Sequence, residues 1–206
     1  MNEAEARAFC AARGEAGVIE RMEQFIALLA EENARQNLVS TSSLEQVWVR
    51  HIADSLQLLD HVPRETSPWI DLGTGAGFPG LVIAIALPDT EVVMVESRKR
   101  RVEFLDHVRT ELGLSKSRVI GSRLETAASF DAAVISARAF APLDKLIDLS
   151  ARFSTHSTVW LLPKGRTGAQ ELLTQSPAIQ AMFHVERSAT DPDAALLVGQ
   201  GRPTTP

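Results

Sequence analysis

The stretch Trp69-Ile70-Asp71-Leu72-Gly73-Thr74-Gly75-Ala76-Gly77-Phe78-Pro79-Gly80 limits what this chain can fold into more than any other segment. An apolar run that reads as a strand gives way to glycines at 73, 75 and 77, and Pro79 suits the first turn of a following helix. Glycine turns sharply and lets a ligand approach the main chain, so strand, glycine loop and helix N-terminus read as a cofactor cradle. From Gly75 the spacing also spells G-x-G-x-x-G, the dinucleotide fingerprint, so the cofactor must be argued from neighbouring residues.

Two residues bear on the choice between S-adenosylmethionine and a nicotinamide dinucleotide. Asp71 stands two residues before the first glycine, where it could accept from an amino-acid ammonium or from a water bound to it; beside a pyrophosphate the same charge would repel. Glu96 ends the apolar run Val92-Val93-Met94-Val95 and could accept from two ribose hydroxyls, which both cofactors possess. The discrimination therefore rests on Asp71 and the tight G-x-G-x-G. Further along, Leu124-Glu125 and Arg138 follow later strands on the same edge. Glu125 reads either as a helix N-terminal charge or as a partner for an adenine amino group. Arg138 could meet a cofactor carboxylate or an RNA phosphate.

Periodicity supplies the frame around these residues. Ile19, Met22, Phe25, Ile26 and Leu29 recur at helical spacing, and Ser43-Leu44-Glu45-Gln46 reads as a capping box opening a helix from about Leu44 to Leu59. Beyond Pro68, strands are expected near 69–72, 91–95, 118–121, 132–136, 158–162, 181–186 and 194–198. Helices are expected near 79–87, 98–112, 142–152 and 167–175. That alternation predicts an α/β fold with a mostly parallel sheet whose last two strands pair as a hairpin, and a frayed tail over 199–206. The expected division is a helical extension over 1–66 followed by a cofactor domain over 67–206.

Composition bears on partners. A net charge of −5 seems to disfavour nucleic acid, yet residues 1–66 carry 6 Lys+Arg against 11 Asp+Glu, whereas 96–166 carry 13 against 8. The basic middle includes Arg98-Lys99-Arg100-Arg101 at a helix start, where the macrodipole disfavours cations and a polyanion would offset them. The other reading is a solvated face paired with Glu103 and Asp106. Lys164 and Arg166, after a strand on the cofactor edge, are RNA candidates. Arg50, His51 and Asp54 share a helix face and would either brace the cofactor loop or touch RNA, and Phe78 and Phe140 would either stack on a base or join the core. The single cysteine, Cys10, and a start lacking signal-peptide character predict a cytosolic protein. The longest apolar run, Leu81 to Leu87, is too short for a membrane span. The five histidines show no metal-ligand spacing, and neither a G-x-S-x-G elbow nor a P-loop occurs.

Arg50-His51-Ile52-Ala53-Asp54-Ser55-Leu56, Asp71 to Gly80, Arg100 to Leu105, Ser136-Ala137-Arg138-Ala139-Phe140-Ala141 and Leu162 to Gly165 together resemble one family closely. It is the small-subunit ribosomal RNA guanine-N7 methyltransferase family, RsmG, formerly called glucose-inhibited division protein B. The resemblance runs from about Asn37 to Lys164 and is weak after Gly165. It implies a Rossmann-like class I methyltransferase domain with a seven-stranded sheet and a small helical N-terminal extension. It also implies cofactor contacts at Gly73, Phe78, Glu96, Ser97, Arg98, Leu124, Glu125 and Arg138, with Gly75 and Gly77 in the same loop. The implied substrate is a guanine in the decoding-region hairpin of 16S ribosomal RNA; the residues read from charge and position as candidates to meet it are Arg138, Lys164, Arg166, Arg100 and Arg101. The expected protein is a monomer without metal or membrane. N7 has an in-plane lone pair that needs no deprotonation, so no catalytic residue is assigned.

Overall fold

The computed structural model describes residues 1–203; the end of the expected tail, 204–206, lies outside the described residues. Seven strands form one sheet: β1 (Trp69–Leu72), β2 (Val92–Val95), β3 (Ser117–Ile120), β4 (Val134–Ala137), β5 (Val159–Lys164), β6 (Phe183–Arg187) and β7 (Ala195–Gln200). Their order is β3-β2-β1-β4-β5-β7-β6, parallel except that β7 runs antiparallel to both β5 and β6. The expected α/β architecture and hairpin are therefore present. Gly199 and Gln200, expected in a frayed tail, instead pair with Trp160 and Val159, because β7 inserts between β5 and β6. Strand order reverses between β1 and β4, which opens a crevice at their carboxyl ends.

β1, β2 and β4 are buried at every position, as apolar runs covered on both faces should be. Successive residues still alternate sides: Trp69, Val92 and Met94 join one apolar cluster, and Ile70, Val93 and Val95 join the other. Helices α1 (Glu3–Ala11), α2 (Val18–Asn33) and α3 (Thr41–Leu44) precede a π-helical turn at Trp48–Ala53, α4 (Asp54–Leu56) and a 3₁₀ turn at Gln57–His61. Together with α5 (Gly80–Ala86) and α6 (Lys99–Glu111) these supply the first cluster. Helices α7 (Leu143–Ser150), α8 (Gly168–Leu173) and α9 (Pro177–Met182) supply the second. α5 is buried along its whole length, and residues 1–66 contribute Phe25, Ile52 and Leu56 to the same cluster as Phe78 and Leu81.

The N-terminal segment departs from expectation in two ways. α1 was not expected, although Asn2 and Glu5 form a reciprocal capping box: the Asn2 side chain accepts from the Glu5 amide, and the Asn2 amide donates to the Glu5 carboxylate, both at 2.9 Å. The box expected at Ser43 is absent. Ser40 caps α3 instead, accepting from the Ser43 amide at 3.2 Å, and the single helix expected over 44–59 is a succession of short turns of different pitch. Its first amides find a remote partner, for the Glu3 carboxylate accepts from Trp48 and Val49 N–H at 3.1 and 2.9 Å. Those are orphan donors at a helix start. Glu3→Ala should cost about 1 kcal/mol in urea unfolding and Glu3→Gln less, because the amide oxygen still accepts; equal losses would mean the charge matters and the hydrogen bonds do not.

Candidate functional site

The crevice contains two cavities. The smaller, 350 Å³, is lined by Gly73, Glu96, Ser97, Arg98, Leu124 and Glu125 among others. The larger, 680 Å³, is lined by Arg50, His51, Asp54, Arg138, Lys164 and residues of the β6–β7 loop. Ala139, Phe140 and Ala141 line both and form the wall between them. Ala139 sits at φ 51°, in the left-handed region that costs a residue with a Cβ about 1–3 kcal/mol, a strain concentrated at functional sites.

Most of the proposed cofactor residues converge on the smaller cavity, and each owes its position to a local cause. Glu96 follows β2; its Oε1 accepts from the Ser97 and Arg98 amides at 2.7 and 2.8 Å, and Oε2 lies 3.6 Å from Arg101. One carboxylate oxygen thus closes the turn into α6 while the other turns toward Arg101. It also places one anion at the basic start of α6, beside Arg101, where it offsets part of the cost of cations at a helix N-terminus. Lys99 pairs loosely with Glu103 at 3.8 Å, whereas Asp106, expected to pair with that run, is taken by Arg109 at 2.6 Å. Glu125 is exposed and lies 3.2 Å from Arg123; its own backbone amide and the nearby cations hold its carboxyl below the usual range.

Five residues of the expected cofactor set do not line the smaller cavity; Gly75 is partly exposed in the loop beside Arg101, and the other four stand elsewhere. Asp71 has no solvent contact: its Oδ2 accepts from the Gly80 amide at 2.9 Å and its Oδ1 from the Ser136 hydroxyl at 2.8 Å. It ties β1 to β4 and to the start of α5 rather than facing a ligand, and burial raises its carboxyl above the usual range. Gly77 is buried too, and a Cβ there would stand 2.4 Å from Leu81, so the missing side chain admits the protein's own leucine. Phe78 is 3% exposed and stacks on His51 with ring centroids 4.6 Å apart and planes 15° apart, which closes it to a base. Arg138 lines the larger cavity and not the smaller. Phe140 is half-buried, and its ring lies where a Cβ on Gly73 would be, 2.5 Å from Cδ2.

The proposed RNA residues divide as well. Lys164 lines the larger cavity, paired with Glu171 at 2.8 Å. Arg166 is exposed and pairs with Asp193 at 2.7 Å. Arg100 is exposed on α6 and its carbonyl accepts from Gln36, whereas Arg101 reaches into the smaller cavity. His51 and Asp54 brace rather than project: with the Arg50 carbonyl they surround Arg138, and His51 stacks on Phe78, whereas the Arg50 side chain is exposed and lines the larger cavity. Sequence reading missed Gln57, Thr190 and Asp191, which join this network. Thr190 and Gln57 both donate to Asp54 Oδ1, and Arg50 pairs with Asp191 at 3.1 Å. In sequence the 188–191 segment carries only a turn signal.

His51 has a defined protonation state. Arg138 can only donate, so Nδ1, 3.1 Å from its Nη2, accepts, and the ring proton resides on Nε2. Burial, with Arg138 and Arg50 close by, lowers its pKa from 6.5 to about 3. From pH 6.5 down to about 3 the unfolded chain binds a proton that the folded chain refuses, so this group's stabilisation is fully present above that window and lost below it. The slope is up to about 1.4 kcal/mol per pH unit. His51→Gln should flatten urea-measured stability between about pH 4 and 6 relative to wild type; an unchanged slope would assign the pH dependence to other groups.

With this geometry in view, comparison with known proteins is specific. A family model described as rRNA small subunit methyltransferase G matches residues 18–191. A ribosomal RNA small subunit methyltransferase G of Erythrobacter litoralis is 58% identical over 98% of both chains, and that of Rhizorhabdus wittichii 46% identical over 96% of this chain and 92% of its own. Among solved structures, a methyltransferase from Geobacter sulfurreducens has a TM-score of 0.60 at 15% identity, covering 86% of this chain and 88% of that one. An RNA methyltransferase from Salinibacter ruber, in complex with S-adenosyl-L-homocysteine, has a TM-score of 0.55 at 14% identity, covering 74% and 92%. At those identities the likeness is one of fold, the Rossmann-like fold of S-adenosylmethionine-dependent methyltransferases. The chain belongs to the rRNA small subunit methyltransferase G family.

Proposed function

We propose that the chain transfers a methyl group from S-adenosylmethionine to N7 of a guanine in the decoding-region hairpin of 16S ribosomal RNA. The observation that carries this reading is the pair of cavities at the carboxyl edge of the sheet, divided by a single strained wall at Ala139–Ala141. A group-transfer enzyme needs two substrates on either side of a thin partition, and family membership supports a cofactor on one side and small-subunit RNA on the other.

The smaller cavity suits the cofactor. Gly75 has φ +59°, a backbone conformation that residues with a side chain rarely adopt, and it lies beside the Arg101 guanidinium, 3.5 Å from where a Cβ would stand. Glu96 Oε2 is free of backbone donors and could accept from ribose hydroxyls, and Glu125, Ser97 and Arg98 present polar groups along the same rim. Gly73, Leu124 and the half-buried Phe140 would supply its apolar contacts. When bound, the cofactor supplies an activated methyl.

The remaining task is positioning. Because guanine N7 attacks with a lone pair already in the ring plane, no side chain has to remove a proton, and holding the partners in register supplies roughly 7–11 kcal/mol. The larger cavity presents Arg50, Arg138 and Lys164 for phosphate, and Glu171 and Asp191 are carboxylates near which a base made cationic by methylation is stabilised. A guanine held there must leave its helix, since the deep groove of RNA hides N7.

Two measurements test this. Small-subunit RNA from cells with and without the protein should differ at one guanine of that hairpin, seen as strand scission after reduction and aniline treatment, which cleaves at N7-methylguanine; a methyl on another atom or another molecule would contradict the reading. Gly75→Val should weaken S-adenosylmethionine binding at least tenfold by calorimetry, a loss of about 1.4 kcal/mol or more, and unchanged affinity would remove this loop from the cofactor site.

A further inference from the structure

Arg138 is the most constrained cation of the crevice, and every polar group holding it comes from a five-residue stretch outside the sheet. Its Nη1 donates to the Arg50 carbonyl and to Asp54 Oδ2, both at 3.2 Å, and its Nη2 donates to His51 Nδ1 at 3.1 Å. Its guanidinium carbon lies 5.1 Å above the Phe78 ring, which also stacks on His51. Arg138 thus sits on one layer of a stack whose second layer is supplied by the residue that also accepts its hydrogen bond. Asp54 is itself fixed. Its Oδ1 accepts from Gln57 Nε2 at 2.9 Å and from the Thr190 hydroxyl at 3.0 Å, which leaves Oδ2 for Arg138.

The backbone of that stretch is unusual in the same place. Trp48–Ala53 winds with π-helical pitch before α4 begins at Asp54, a local change of pitch that recurs at functional sites. This wider turn carries His51 and the Arg50 carbonyl, Asp54 follows it, and all three converge on one guanidinium. The Asp54–Arg138 pair is largely shielded, with side chains 19% and 24% exposed, so its geometry is held more firmly than that of a surface ion pair.

We propose that Asp54 is a positioning residue for methyl transfer: with His51 and the Arg50 carbonyl it aims Arg138 into the larger cavity, so the N-terminal helical segment completes the substrate side of the site. This rests on the reading above, in which that cavity receives the target base, and adds which residues set the direction of the cation beside it. A guanidinium free to rotate would still attract RNA phosphate, but it would not hold one nucleotide at one distance from the wall at Ala139.

The test is a double-mutant cycle on methylation of small ribosomal subunits, read as kcat and KM at saturating cofactor, with cofactor affinity measured separately. Asp54→Ala should lower kcat at least tenfold while the affinity for S-adenosylmethionine stays within twofold. In an Arg138→Ala background the same substitution should change kcat less than twofold, because the residue through which it acts is gone. Asp54→Asn, which keeps an oxygen able to accept from Arg138, should recover part of kcat, and it carries the same cycle if the alanine variant fails to fold. Losses that multiply across the two sites, or wild-type kcat in either alanine variant, would overturn the proposal. A wild-type protein that methylates a different atom or molecule would instead overturn the function on which it rests, whatever the coupling.

Discussion

Asp71 carries a carboxylate sealed from solvent at the centre of the sheet, where burial favours its neutral form. The Gly80 amide and the Ser136 hydroxyl offset that cost, and Trp69 Nε1 donates to the same Ser136 oxygen at 2.8 Å. Three elements therefore meet on one side chain: β1 through Asp71 itself, α5 through its first amide, and β4 through Ser136. The glycine loop between β1 and α5 is held at both ends, and β4 delivers Arg138 two residues after Ser136. Both cavities depend on that junction, one for its glycine loop and the other for its arginine. No Cβ fits at Gly80, where it would stand 2.9 Å from Asp71 Oδ2, so close packing of loop on strand is built into the backbone.

Every strand and four of the five later helices, all but α9, could be read from the sequence because parallel strands buried on both faces leave dense apolar runs, and turns between them are marked by glycine and proline. The glycine loop and Glu96 were legible for a related reason, since each lies immediately after a strand. The role of Asp71 was not legible. Its position two residues before the first glycine suits a ligand contact and a buried brace equally, and only the depth of burial decides. Gly77 and Phe78 mislead in the same way: a missing side chain and an aromatic ring both suggest a ligand, yet the neighbours are Leu81 in one case and His51 in the other.

Less was legible before Pro68. The stretch from Trp48 to His61 passes through three pitches, which hydrophobic spacing near 3.6 residues cannot register, and its cap comes from Glu3, 45 residues away. Long-range caps leave no local pattern. The same holds for Thr190 and Asp191, which reach Asp54 and Arg50 from a loop between the last two strands. Electrostatics shifted in meaning as well. The basic middle of the chain is not an unpaired positive surface: Arg101, Arg138, Lys164 and Arg166 each face a carboxylate of the same chain. An RNA phosphate arriving there exchanges one anion for another, which favours selectivity over raw affinity.

The division of labour between the two cavities is the claim on which the functional reading turns, and hydrogen exchange resolves it directly. Adding S-adenosylhomocysteine should slow amide exchange over 73–77, 96–98 and 122–125 and leave 50–57 and 188–191 unchanged, and a decoding-region RNA hairpin added next should slow the second set. Protection of 50–57 and 188–191 by the cofactor product alone, or no protection there by the RNA, would contradict it.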